Sequence, residues 1–301
     1  MHIVEFASIS SVLQHVIDAF SGGSLYALFA LAIALVFGIV RLINFAQGAI
    51  MTVAAYGLLV VEGVPVIVKL VVVIVVAVGL SLAVDRVAFR PIRDVDPTTL
   101  LVTSFAVGSL LQALLVVIDQ DQPRSTEVSS WLSSSLHVGS LVVSWVSVAT
   151  IVATALLLIA LVLFLRRSTT GLEMRAVAEN FRMSQALGVR SNRVIAVAFA
   201  ISGVLTGITA FFLIAQSGTI SPTIGITPLL FGFIGTVVGG IGSLPGAVAG
   251  GYLLGVLTEA LQAALPDNLV PYRDAFVFGA VFFLLVFRPQ GLFGSNFQER
   301  V

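Results

Sequence analysis

Runs of apolar residues as long as a bilayer is thick dominate this chain and leave few other folds open to it. A helix crossing a hydrocarbon core of roughly 30 Å needs about 20 such residues. Runs of that order occur at 22–40, 45–61, 66–84, 98–118, 141–164, 194–215 and 246–265. Two shorter ones, 228–240 and 276–287, bring the expected number of spans to eight or nine. The pattern predicts an all-α, polytopic membrane protein, with residues 1–301 forming a single transmembrane domain. Composition agrees: 58% of residues are hydrophobic, 10% are charged and the mean hydropathy is +1.11, whereas a soluble domain carries about 25% charged residues. Soluble enzymes and disordered tails are thereby excluded. Fifteen basic residues balance fifteen acidic ones, so no bulk field draws the chain to nucleic acid.

Cysteine is absent, which removes disulfides, thiolate-held metals and cysteine nucleophiles. The histidines, His2, His15 and His137, are too scattered to form a metal-ligand pair, and no metal site is expected. The first residues lack the basic start and small-residue cleavage site of a signal peptide and are expected to be retained. Ile9, Val12, Leu13, Val16, Ile17 and Phe20 recur at three- and four-residue spacing. That spacing predicts a short interfacial helix ahead of the first span.

Basic residues concentrate in cytoplasmic loops and so set orientation. Arg86, Arg90 and Arg93 follow the third run, and Arg166, Arg167, Arg175, Arg182, Arg190 and Arg193 lie between the fifth and sixth. With both loops inside, Arg41, Arg288 and Arg300 also fall inside, and only Lys69, Arg124 and Arg273 fall outside. The Ser-rich loop 119–139 is then external, either a flexible connection or a docking surface.

A Walker A loop needs Gly-Lys-Ser/Thr, and the only lysine here is Lys69, within VIVKLVV. If ATP drives this protein, another subunit binds it. Ion coupling leaves ionisable groups inside the membrane; within the spans the sole carboxylate is Glu259, open to a structural helix contact or to a substrate or proton role. No paired carboxylates or activated serine support an intramembrane enzyme. Asn44 and Gln47 flank the break between the first two spans, where their amides satisfy freed backbone or meet a polar solute. Gly242, Gly246 and Gly250 recur every four residues, the spacing of close helix packing. A discontinuous helix around 239–245 would also present backbone groups to a substrate path. Between the fifth and sixth runs, Met174, Val177, Ala178, Phe181 and Leu187 give segment 171–193 an amphipathic helical pattern with Gly188 as its stop. Such a helix lies on lipid or docks a cytoplasmic partner.

Five motifs in order resemble the LivH-type inner-membrane permeases of branched-chain amino acid ABC importers, over nearly the whole chain. They are GSLYALFALAIALVFGIVRLINFAQGAIMTVAAYG at 23–57, DRVAFRPIR at 85–93, GLEMRAVAENFRMSQALGV at 171–189, GGIGSLPGAVAGGYLLGVLTEAL at 239–261 and FRPQGLFG at 287–294. The resemblance implies a multi-pass subunit of the bacterial cytoplasmic (inner) membrane that binds no cofactor itself. Its partners would be two cytoplasmic ATPases carrying ATP and Mg, a second and paralogous permease, and an extracytoplasmic solute-binding protein. It also implies that the loop at about 166–193 couples to the ATPase through Ala176, Glu179, Arg182, Ala186 and Gly188. The Leu-Pro that ends the general importer loop is absent, and the histidine common at the position of Gln47 is replaced. Similar permeases carry urea or short amides, which stand as the alternative solutes; a self-sufficient channel or secondary transporter is the alternative mechanism.

Overall fold

The computed structural model describes residues 9–41, 43–61, 63–93, 95–119, 123–138 and 141–293; His2 and Arg300 lie outside them. Its helices are α1 (Ile9–Val40), α2 (Ala46–Val60), α3 (Val66–Val84), α4 (Pro97–Asp119), α5 (Ser130–Ser133), α6 (Trp145–Arg167), α7 (Thr169–Glu179), α8 (Phe181–Ala186), α9 (Ser191–Ser217), α10 (Ile226–Gly239), α11 (Leu244–Ala264) and α12 (Arg273–Phe287). Four short strands, β1 (Arg124–Ser125), β2 (Ser135–Val138), β3 (Leu141–Ser144) and β4 (Thr219–Ile220), pair antiparallel as β1–β4 and β2–β3. Seven helical segments are long and apolar enough to cross a membrane, and α2 and α10 are shorter apolar helices. The nine expected runs correspond to nine helices among the described residues, but two lengths differ from expectation: 45–61 yields only the short α2, whereas 276–287 lies within a segment, Val270–Phe287, long enough to cross.

Position in the bundle follows from which faces are apolar. Helix α1 is apolar nearly all round, and from Ala27 to Val36 its side chains are buried on every side, as expected of a core helix. It packs against α6, α9, α10 and α11. By contrast α3, α4, α6 and α12 stand at the periphery and expose Val75, Val117, Leu156 and Phe283, surfaces suited to lipid.

Glycine sets how closely the central helices approach. A Cβ on Gly251 would lie 2.4 Å from the Cα of Ala27, and one on Gly255 would lie 2.3 Å from the Cα of Gly23, so α11 meets α1 backbone to backbone. On its other side, Gly246 and Gly250 abut the carbonyl oxygens of Gly239 and Gly235 in α10, at 2.3 and 2.0 Å from the added Cβ. Gly242 does not belong to this stripe: it precedes α11, has φ +88°, and nothing lies within 4 Å of its would-be Cβ. It serves the turn, because a left-handed backbone favours glycine.

Three other expectations need correction. The N-terminal amphipathic stretch is not a separate interfacial helix but the first turns of α1, which runs unbroken for 32 residues, about 48 Å. No proline interrupts it, and Gly22 and Gly23 do not break it; Gly23 lies against Tyr252 and Gly255 of α11. The run 141–164 begins as strand: Leu141–Ser144 pairs with Ser135–Val138, and the helix starts at Trp145, where the Ser144 hydroxyl accepts from Val146 N–H at 3.3 Å. The Ser-rich loop, expected as a flexible connection or a docking surface, is anchored at several points. Lys69 Nζ donates to the carbonyls of Glu127 and Val128 at 3.0 and 2.9 Å, while buried Asp119 accepts from Tyr56 at 2.7 Å and pairs with Arg124.

Helices α2 and α10 have 15 and 14 residues, about 22 and 21 Å and less than a full crossing. The chain re-enters after α1: Phe45 N–H donates to Ser104 Oγ at 3.2 Å, about 10 Å along α4 from its first residue. At the far end of α10, the last carbonyls are satisfied by the C-terminal motif, with Leu292 N–H donating to Val238 O at 2.7 Å and Phe293 N–H to Gly239 O at 3.1 Å.

Adding a methyl at the α1–α11 contact must push backbones apart. We expect Gly255→Ala to destabilise by about 1–3 kcal/mol, whereas Gly279→Ala, with open space around it, is neutral or slightly stabilising. Thermal unfolding in detergent distinguishes the two, and equal melting temperatures would contradict this packing. Because the chain has no cysteine, single cysteines at exposed Ser125 and Gln185 should label from opposite sides of sealed vesicles; labelling from one side would refute the topology.

Candidate transport site and coupling surface

The re-entrant turn before α2 places two amides deep in the protein. Asn44 and Gln47 are 3% and 1% exposed. Asn44 Oδ1 accepts from Ala46 N–H at 3.1 Å at the start of α2, and its Nδ2 donates to Gln47 Oε1, also at 3.1 Å. Gln47 Nε2 donates to Ser202 Oγ at 2.9 Å and to Thr206 Oγ1, and Ser202 in turn donates to Ala32 O at 3.0 Å. These bonds fasten α2 to α9 and α1 and satisfy polar groups that lipid cannot. Ser202 and Thr206 are not among the residues the sequence singles out; their four-residue spacing within an apolar helix is the signal that marks them.

Beside this junction the first turns of α2 and α10 meet. The Gly225 N–H donates to Thr52 Oγ1 at 3.1 Å, and a Cβ on Gly225 would lie 2.0 Å from Gly48 O. With α4 they enclose a cleft of about 300 Å³. Its walls are apolar, formed by Phe45, Phe105, Leu229 and Leu230, while Thr52, Ser109 and Gln112 supply polar groups. No charged side chain lines it. Ser104, Gly108 and Gln112 fall at four-residue intervals along α4, a polar and small stripe that the sequence displays but that only the packing makes meaningful.

Glu259 lies outside this cleft. Its Oε1 is 2.9 Å from His15 Nδ1, a contact that links α11 to the first turns of α1. The same stretch of α1 holds the β2–β3 hairpin, since Gln14 exchanges two hydrogen bonds with the backbone of Val142, at 3.0 and 3.1 Å. Of the glycines, Gly246 and Gly250 pack on α10 and Gly242 sits in the turn before α11. The α10–α11 break lines a cavity of about 380 Å³ with Ile241, Gly242 and Ser243, while Ser243 Oγ accepts from Gly246 N–H at 3.1 Å to cap α11.

At the opposite end, the segment between α6 and α9 forms two helices, not one. Ser168 closes α6 and caps α7, accepting from Gly171 N–H at 2.9 Å; Asn180 closes α7 and caps α8, accepting from Met183 N–H at 2.9 Å. An asparagine side chain competes with the helix for its own backbone, which explains the break. Met174 and Val177 are buried, as their spacing predicts, but Leu187 is 78% exposed. Ala176 is half-buried, and Glu179, Arg182, Ala186 and Gly188 face outward, with Gly188 ending the segment at φ +87°.

A buried ion pair holds this end together. Asp85 and Arg93, with side chains only 5% and 8% exposed, pair across the π-helical turn (Asp85–Phe89) that extends α3, and across the 3-10 turn (Arg90–Ile92) that follows it. Arg93 also donates to Asn192 at the start of α9, at 2.7 Å. Arg93 lines a cavity of about 470 Å³ together with Arg41, Glu179 and Arg182, so the DRVAFRPIR motif connects α3 and α9 directly behind α7 and α8.

Shortened helices meeting inside a polytopic bundle, together with a capped helical pair at one end, define the membrane permease class of transport protein. Residues 16–286 match the family described as branched-chain amino acid transport system / permease component, and the chain belongs to that family. It is 31% identical to the high-affinity branched-chain amino acid transport system permease protein BraD of Pseudomonas aeruginosa, over 96% of this chain and 98% of that one. It is likewise 31% identical to LivH of Salmonella typhimurium, over 96% and 97%. Among solved structures, a metal-chelate-type ABC transporter in an inward-facing conformation has the same fold, with TM-score 0.55, 19% identity and coverage of 92% of this chain and 88% of that one. The protein is a transport permease, not an enzyme.

Removing one member of a buried ion pair leaves the other charge uncompensated. Arg93→Leu should destabilise the protein by about 3 kcal/mol or more, and Asp85→Leu/Arg93→Leu should recover much of that loss. Unfolding midpoints of the three proteins test this; equal midpoints for single and double variants would remove the pair from the account.

Proposed function

We propose that this chain forms one half of the solute path of an ATP-driven, binding-protein-dependent importer of branched-chain amino acids in a bacterial cytoplasmic membrane. Residues 1–301 act as one transmembrane domain. Two cytoplasmic ATPases bind ATP and Mg, a second, paralogous permease completes the path, and an extracytoplasmic binding protein delivers solute. The names of the relatives support the solute class.

The observation that carries the mechanism is the build of α7 and α8. Met174 and Val177 fix the pair to the bundle, and Ser168 joins it rigidly to α6. Its other face leaves Glu179, Arg182 and Ala186 exposed. A body that is rigid toward the membrane helices and open toward the cytoplasm passes movement of a docked ATPase into α6 and α9, biasing two arrangements of the paired permeases. Glu179 and Arg182 set the docking geometry and Gly188 releases the chain into α9.

In the assembled importer, Glu179→Arg should lower solute uptake at least tenfold while ATP hydrolysis continues. Wild-type uptake in that variant would overturn the assignment of the coupling surface. Competition of labelled leucine uptake by isoleucine and valine, set against urea and short amides, tests the solute.

A further inference from the structure

The cleft between α2, α4 and α10 opens at mid-length of α4, and its polar lining is unlike the other exposed surface of the membrane-spanning helices. Ser109 lies about 18 Å along the roughly 34 Å of α4, at the middle of that span. It is exposed, and Gln112 one turn further is half-buried. Neither side chain makes a hydrogen bond among the described residues, although a serine in a helix commonly bonds back to the preceding turn, as Ser104 and Thr103 do on the same helix. On the other membrane-spanning helices the exposed mid-helix side chains are apolar, as with Val75 on α3, Leu156 and Ile159 on α6, and Phe282 on α12. Lipid tails offer an amide or hydroxyl nothing to bond with. The Ser109 and Gln112 side chains therefore face something polar.

We propose that this cleft is the solute-contacting site of the permease, taking a small, net-neutral molecule with a hydrogen-bonding head and an apolar tail. This rests on the importer reading above. Ser109 and Gln112 engage the head, and Phe105, Leu229 and Leu230 form the pocket for the tail. A volume of about 300 Å³ is at the small end of ligand sites. The lining carries no charge, which disfavours a net cation or anion at this depth. Thr52 positions the wall, since its hydroxyl is committed to Gly48 O at 3.0 Å and to Gly225 N–H at 3.1 Å. The second permease closes the open side.

The test uses the complete importer in proteoliposomes, where any thiol on this chain is an introduced one. Ser109→Cys should react with a charged, water-soluble methanethiosulfonate at least tenfold faster than Val152→Cys, which lies on an exposed face of α6. Leucine with binding protein and ATP should slow the reaction at Ser109→Cys. Leu229→Ala should shift the ratio of leucine to alanine uptake at least fivefold toward alanine, whereas a merely structural defect lowers both alike. Urea and acetamide, tested as competitors, separate an uncharged amide head from a zwitterionic one. Equal reactivity at the two cysteines would show the cleft to be lipid-facing and overturn the proposal. So would rapid labelling that leucine does not affect, combined with an unchanged uptake ratio. Loss of all ATP dependence in the wild-type assembly would instead overturn the importer reading, a result distinct from both.

Discussion

At the crossing of α1 and α11 the two backbones touch, and the placement of the other helices depends on that contact. Without a Cβ at Gly251 and Gly255, α11 lies directly on Ala27 and Gly23. Association in a bilayer gains nothing from expelling water, so it relies on close van der Waals approach of this kind. The opposite flank of α11 takes α10 against Gly246 and Gly250, and α9 meets α3 in a similar way through Gly203 and Gly207. The result is a dense centre built from α1, α9, α10 and α11, to which α3, α6 and α12 attach by one face each, while α4 is held chiefly through α2.

A rigid centre permits irregular backbone at membrane depth. The turn before α2 and the break between α10 and α11 each free peptide groups that cannot be left bare in hydrocarbon. Asn44, Ser104 and the C-terminal segment at Leu292 and Phe293 satisfy them. Two shortened helices can then meet at their first turns and leave a cleft with polar groups at mid-depth. At the end that carries α7 and α8 the Asp85–Arg93 pair joins α3 to α9, and the caps at Ser168 and Asn180 shape the surface between α6 and α9. The Gln47 junction beside the cleft and the Asp85–Arg93 pair beside α7 and α8 thus share α9, which bonds Gln47 through Ser202 and Thr206 and Arg93 through Asn192.

Much of the architecture was legible in the sequence because length and hydropathy alone decide what spans a bilayer. Each of the nine apolar runs became a helix, and the break at 41–45, the turn at 240–243 and the buried face of α7 lay where residue type placed them. What escaped were features fixed by partners distant in sequence. Apolar periodicity at Ile9–Phe20 cannot reveal that α1 continues through Gly22 and Gly23, since glycine is a helix breaker or a packing surface according to what lies opposite. Leu141–Ser144 is apolar enough for a span but pairs with a neighbouring strand. Gly242 shares the four-residue spacing of Gly246 and Gly250 yet lies in the turn. Glu259 gains a partner, His15, 244 residues away. At the candidate site the sequence pointed to Asn44 and Gln47, whose bonds are all internal, whereas Ser109 and Gln112 carried only the faint signal of polar residues inside an apolar run.

On the reading proposed above, this chain moves solute only as part of a larger, ATP-driven assembly. The most direct measurement is gentle purification of the tagged protein from its native membrane, with mass spectrometry of what remains bound. The account predicts Walker-motif ATPases and a second permease in the complex. A lone chain or homo-oligomer, unchanged after cross-linking and transporting solute without ATP, would contradict it.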